Sequence, residues 1–197
     1  MVSNRGTMES KGEENMKSQP LRTTLLHFTE LETDRLILRP VTISERDVAD
    51  FYQFASDPET VQYSFLPYPS QEPVLRMISS YFVDDPAGKW GVELKATHQL
   101  IGYVELQVDD YNVSGEIGYL INRDFWHQGY ASEAAQCVLD LGMNELKLVR
   151  VQGRYDVRNA ASGRVLQHVG MQEEGVLRNH RYFQGDFVDD VIWSKVQ

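Results

Sequence analysis

Cysteine is nearly absent. Cys137 is the only one in 197 residues, so neither an internal disulfide framework nor a multi-cysteine zinc site can form. Long apolar runs are missing as well. Nothing approaches the ~18–20 apolar residues of a membrane-crossing helix, and "MVSNRGTMESKGEENMKSQP", residues 1–20, lacks the apolar centre of a secretory signal. Its Gly, Ser, Asn, Glu and Lys content predicts a disordered leader. Basic charge is short too: 19 Lys and Arg stand against 29 Asp and Glu, a formal net charge of −10. That balance argues against a general nucleic-acid or anionic-membrane surface and mildly favours cationic partners. The expectation is a cytoplasmic protein that binds neither nucleic acid nor membrane.

What the sequence does hold is enough apolar matter for a core, 42% hydrophobic and 11% aromatic, over a length that suits one domain at residues 21–197. "LETDRLILRP" reads as a first strand, with Leu36 and Leu38 on one side and Pro40 at its end. Ser44 caps an amphipathic helix, "ERDVADFYQFA". Ser70 opens a second, in which Val74, Met77, Ile78, Tyr81 and Phe82 repeat at helical spacing until "DDPAG" ends it. From Trp90 the period becomes two. "WGVELKA", "QLIGYVELQV" and "SGEIGYLI" predict a three-stranded antiparallel meander, with Asp109 and Asp110 as turn residues. Beyond a further helix come a strand at "VRVQGRYDV", where Val149, Val151, Tyr155 and Val157 alternate, a short helix from Ser162 to His168, and two terminal strand-like runs, "MQEEGVL" and "DFVDDVIWSKV". The order implies an α/β (α+β) fold with a mixed, mostly antiparallel sheet flanked by helices. The edge of the terminal hairpin leaves monomer and homodimer both open.

The informative stretch is "FWHQGYASEAAQCVLDLGM", Phe125 to Met143. Ala131, Ala134, Ala135, Val138, Leu139 and Gly142 form a buried stripe, while Glu133, Gln136 and Asp140 are expected to face outward. The helix therefore begins at about Gly129. Its first N–H groups lack intrahelical partners and lie at the positive end of the helix dipole, so a glycine there suits an anion cradle. A glycine that merely permits a tight turn fits the same pattern. "HQGYAS" lacks the lysine of a Walker loop and the spaced glycines of a dinucleotide fingerprint, so neither nucleotide fold applies.

"FWHQGYASEA", preceded by "GEIGYLI" and followed by "RNAASGRVLQHVGMQEEGVLR", resembles the GNAT acyl-CoA N-acyltransferases, and among them the RimJ/RimL type of ribosomal-protein N-acetyltransferase. The likeness runs from about Leu31 to Val196. It implies acetyl-CoA as co-substrate and no metal, with the pyrophosphate held by backbone amides of Gln128, Gly129, Tyr130 and Ala131. Ile121 and Asn159 join them as cofactor contacts, and Ser162 sits near the thioester sulfur. Helix capping accounts equally well for Asn159 and Ser162. Two positions depart from the family pattern. Trp126 stands where the broader family has Gln or Arg, and Leu166 stands where many members have a tyrosine acid, so the thiolate must be protonated from elsewhere.

The resemblance implies direct acetyl transfer to a primary amine, foremost the α-amine of a protein or peptide. A polyamine, aminoglycoside or amino-acid-like amine is the alternative acceptor, and a non-catalytic acetyl-CoA sensor is a third reading. Because an ammonium is no nucleophile, a base is needed. Glu116 is the candidate: alternation places it with Gly118 and Leu120 on one face of "SGEIGYLI", with Ile117, Tyr119 and Ile121 on the other. A half-exposed rim carboxylate would have the same pattern. Glu105, in "YVELQ", is the rival and a possible contact for the amine. His127 is expected as polar surface, Cys137 as a small core residue, and Tyr119 and Tyr155 as core or pocket wall.

Overall fold

The computed structural model describes residues 20–197; the predicted leader, apart from Pro20, lies outside them. Eight strands among the described residues form one sheet in the order β1-β2-β3-β4-β5-β6-β8-β7. They are β1 (Leu31–Glu32), β2 (Leu36–Arg39), β3 (Lys89–Leu94), β4 (Leu100–Asp109), β5 (Ser114–Ile121), β6 (Arg150–Asp156), β7 (Gln172–Phe183) and β8 (Asp186–Val196). Neighbours are antiparallel except β5 and β6. The sheet is thus mixed and mostly antiparallel, with helices on both faces.

On one face lies α5 (Tyr130–Asp140), whose Ala134, Ala135, Val138 and Leu139 are fully buried. Together with Leu166 of α6 (Ala160–His168) they cover Val104, Leu106, Ile117 and Val151 of the central strands. The other face carries α2 (Glu45–Ala55), the single-turn α3 (Pro58–Val61) and α4 (Gln71–Met77). Here Phe51, Phe54, Val61, Val74, Ile78 and Phe82 pack over Leu100 and Leu120. A short α1 (Leu21–Leu25) precedes β1, and Asp110 accepts from the Leu21 amide, so this aspartate closes a helix start 89 residues away. Both aspartates serve the β4–β5 turn as expected: Asp110 lies in it, and Asp109, at the end of β4, accepts from the amides of Tyr111 and Asn112 at 2.9 and 3.1 Å.

Local chemistry explains most boundaries. Ser44 accepts from the Asp47 amide at 3.1 Å, and Arg39 clasps the Asp47 carboxylate at 2.8 and 2.9 Å, tying the start of α2 to the end of β2. Ser70 opens α4 without a side-chain cap. α4 and α5 both end in π-helical turns, Ile78–Val83 and Leu141–Glu145, in which Leu146 N donates to Leu141 O at 3.0 Å. Gly142 sits in the second, where a Cβ would come within 3.2 Å of Val151.

Three expectations need correcting. Glu133 does not face solvent: its side chain turns onto the β1–β2 turn, where Thr33 and Arg35 donate to it. Val149 and Val157 flank β6 rather than belonging to it, and both are about half exposed, because the strand ends with its pairing to β8. The strand begun at "MQEEGVL" extends to Phe183, since its partner β8 keeps pairing through two register shifts.

Candidate active site

The parallel pair β5–β6 is short. Register runs from Ser114↔Arg150 to Ile117↔Gly153 and stops, although β5 continues to Ile121 and β6 to Asp156. Each strand keeps its outer neighbour, so the sheet forks and the inner main-chain groups past the fork have no strand opposite them. Leu166 sits in the crotch: a Cβ on Gly153 would lie 2.8 Å from its side chain. That leucine is fully buried and brings no proton to the site.

The fork opens into a cleft of about 610 Å³. Of the predicted site residues, Glu116, Ile121, Gly129, Tyr130, Ala131, Asn159 and Ser162 line it. Gln128 does not. Its carbonyl accepts from Arg35 at 2.9 Å and its side chain turns back to Asp124 O.

At one mouth of the cleft, Trp126 Nε1 donates to Ile121 O at 2.7 Å, anchoring the loop to the end of β5. This explains how a tryptophan serves at its position. His127 and Gly129 both adopt positive φ, +59° and +83°, and such a backbone gathers N–H groups into a concave nest. The amides of Gln128, Gly129, Tyr130 and Ala131 donate to no acceptor among the described residues. A Cβ on Gly129 would meet only the Arg35 guanidinium, at 3.4 Å, so the glycine is required by its φ rather than by crowding. Arg35 also stacks 4.3 Å from the Tyr130 ring centroid. Nothing in the sequence marked Arg35, because its partners lie more than 90 positions away.

The other face of the fork carries side-chain chemistry. Cross-strand register pairs Glu105 with Gly118 and Gln107 with Glu116, placing both carboxylates on one side of the sheet. Gly118 makes room for Glu105, since a Cβ there would sit 2.7 Å from Glu105 Oε1. Glu116 accepts from Arg154 Nε and Gln152 Nε2, each at 2.8 Å, and its side chain is one-third exposed. Glu105 accepts from the Tyr81 hydroxyl. Burial, and then the neighbouring Glu105, push the Tyr81 and Tyr103 phenols far above their ordinary value, so both stay protonated and Tyr81 donates to Glu105.

On α6, Asn159 Oδ1 accepts from Ser162 N at 3.3 Å and Asn159 Nδ2 donates to Ser162 Oγ at 3.0 Å. The cap thereby occupies the serine oxygen as acceptor and leaves its O–H free. Tyr119 donates to Ser162 O at 2.9 Å, buttressing the same turn. His127 lines the cleft, and Cys137 packs partly buried against the core, where burial raises its thiol pKa. Among the described residues there is no helix long and apolar enough to cross a membrane, and no group of three or more His, Cys, Asp or Glu side chains that could hold a metal ion.

Comparison with known proteins supplies the family. The acetyltransferase (GNAT) domain matches residues 35–172. YoaA, an uncharacterized N-acetyltransferase of Bacillus subtilis, is 34% identical over 174 residues, 86% of this chain and 98% of YoaA. The crystal structure of a GNAT-family acetyltransferase from Bacillus anthracis is similar with a TM-score of 0.76 at 24% identity, covering 85% of this chain and 98% of that one. The microcin C7 self-immunity acetyltransferase MccE, solved in complex with acetyl-CoA and AMP, shares the fold with a TM-score of 0.73 at 19% identity, over 84% of this chain and 94% of its own. With a family match over most of its length and a relative 34% identical across 86% of it, the chain belongs to the GNAT family of acetyltransferases.

Proposed function

We propose that this enzyme, a single domain over residues 21–197, transfers the acetyl group of acetyl-CoA to a primary amine, foremost the α-amine of a protein or peptide, in the manner of the RimJ/RimL type. The observation that carries this reading is the forked sheet, with a nest of converging N–H groups at one mouth and two carboxylates at the other. We place the enzyme in the cytoplasm, which its single cysteine suits.

The nest fits a diphosphate. Four amides without acceptors at a helix N-terminus form a site for anions, and Gln128, through its amide alone, would hold the phosphates with Gly129, Tyr130 and Ala131. Ile121 and Asn159 would line the path of the remaining cofactor chain. Acetyl-CoA supplies an acetyl group activated as a thioester, whose C–S bond breaks as the new N–C bond forms.

The protein's part is to position and move protons. The acceptor arrives as an ammonium on the face carrying Glu105 and Glu116, drawn there by charge. Glu105, fixed by Tyr81, holds it; Glu116 takes its proton, directly or through one water, and Gln152 and Arg154 keep that carboxylate in place. Ser162, with its oxygen engaged by Asn159, directs its free O–H toward the departing sulfur.

A thiol-release assay with acetyl-CoA against amino-terminal peptides, polyamines and aminoglycosides tests the proposal. Turnover with peptides is the expected result. Turnover with small amines alone would reassign the acceptor, and tight acetyl-CoA binding without turnover on any amine would make the protein a sensor.

A further inference from the structure

Beside the cleft lies a second hollow of about 170 Å³, lined by Phe65, Tyr68, Met77, Tyr81, Phe82 and Tyr103, with Phe51 at its base. No charged side chain lines it. The two spaces share Tyr103 as a wall, and at their seam the Tyr81 hydroxyl meets the Glu105 carboxylate, which itself lines the larger cleft. The loop on one side of the hollow is fixed. Tyr68 N donates to Ala55 O at 3.0 Å and Tyr52 to Pro69 O at 3.2 Å, pinning the loop that carries Phe65 and Tyr68 to α2.

Resting on the acetyl-transfer reading above, we propose that this hollow is the acceptor's specificity pocket, and that the preferred acceptor is an amino-terminal residue with an aromatic or large aliphatic side chain. An acceptor whose ammonium sits on Glu105 has its α-carbon at the seam, with its side chain facing the aromatic walls. The volume is suitable: an apolar cavity of about 150 Å³ accommodates benzene. Aromatic and methionine walls favour a flat or flexible apolar group over a polar one. A glycine or serine terminus would leave the hollow unfilled and forgo that burial.

The test compares phenylalaninamide, leucinamide and glycinamide in two measurements on the full chain: calorimetric binding in the presence of CoA, and acetylation with acetyl-CoA. The expected result is binding at least tenfold tighter for phenylalaninamide and leucinamide than for glycinamide, with kcat/KM in the same order. Met77→Trp, which fills the hollow, is expected to abolish the preference while acetyl-CoA affinity, measured alongside as a check of folding, stays within twofold. Phe65→Ala, a gentler change that removes one wall, should weaken the preference. Equal binding of all three amides by the wild type, or a preference that survives both substitutions, would overturn the proposal. Preferential binding without acetylation of any amide would uphold the pocket and instead sink the reading that an α-amine is the acetyl acceptor.

Discussion

The two mouths of the cleft are built from different materials. At the start of α5 the groups on offer are main-chain N–H bonds, arranged by two residues at positive φ and held by Arg35. Across the fork they are side chains: Glu105, Glu116, Arg154, Tyr81 and the aromatic walls beyond. Main-chain donors survive substitution of the residues that carry them, whereas side-chain chemistry changes with each replacement. A scaffold of this kind can keep its main-chain cradle while the side chains across the fork change.

The sharpest way to break this contrast is at Glu116. Replacing it with Gln takes away the carboxylate proposed as the base at nearly unchanged size; the amide oxygen can still accept from Arg154, whereas its NH2 can no longer accept from Gln152. Turnover should fall by about 100-fold or more, the range for loss of a general base, while acetyl-CoA affinity stays within twofold. Steady-state rates at saturating substrates and several pH values, paired with calorimetry, measure both; equal turnover in variant and wild type would remove Glu116 from the mechanism.

Next in size is Gly129→Trp. The backbone there sits at φ +83°, a conformation that disfavours side chains by roughly 1–2 kcal/mol, and an indole would crowd the nest. The acetyl-CoA dissociation constant should rise more than tenfold, about 1.4 kcal/mol or more, with Glu116 chemistry untouched at saturation. Unchanged binding would put the phosphates elsewhere.

A smaller effect is expected from the clasp that braces the nest. Burial alone would raise the Glu133 carboxyl, but donation from Thr33 and Arg35 outweighs it and holds the group below its ordinary 4.5. The unfolded chain therefore takes up this proton first as pH falls. The clasp's contribution to stability is complete above about pH 4.5 and is lost as pH drops through the lowered value. Thermal melting below that pH should fall more steeply for the wild type than for Glu133→Gln; parallel curves would show that the clasp carries no linked proton.

Much of this architecture was legible in the sequence because the signals were local. Ser44 before its helix, the alternation in "SGEIGYLI" and the small-residue stripe behind Gly129 each describe neighbours a few positions apart, and the elements they predict are present. What escaped was set by distant pairing. The fork depends on where β5 and β6 cease to match, Arg35 finds Glu133 and Gln128 across more than 90 positions, and Tyr81 reaches Glu105 from the helical turn packed on the same face of the sheet. Glu133 differs from expectation for the same reason: a carboxylate on the outer face of an isolated helix looks solvated until the β1–β2 turn arrives beside it.

The smallest expected effect is the most discriminating for a main-chain cradle. Gln128 presents its side chain to Asp124 O, at 3.5 Å, and its carbonyl to Arg35, and it does not line the cleft. If only its amide matters, Gln128→Ala should change acetyl-CoA affinity by less than twofold, because the amide and the Arg35 contact both persist. Gln128→Pro removes the N–H itself and imposes φ near −65°, and should weaken binding severalfold. A large loss in the alanine variant, measured by calorimetry, would mean that the glutamine side chain reaches the ligand and that this mouth, too, reads its partner with side chains.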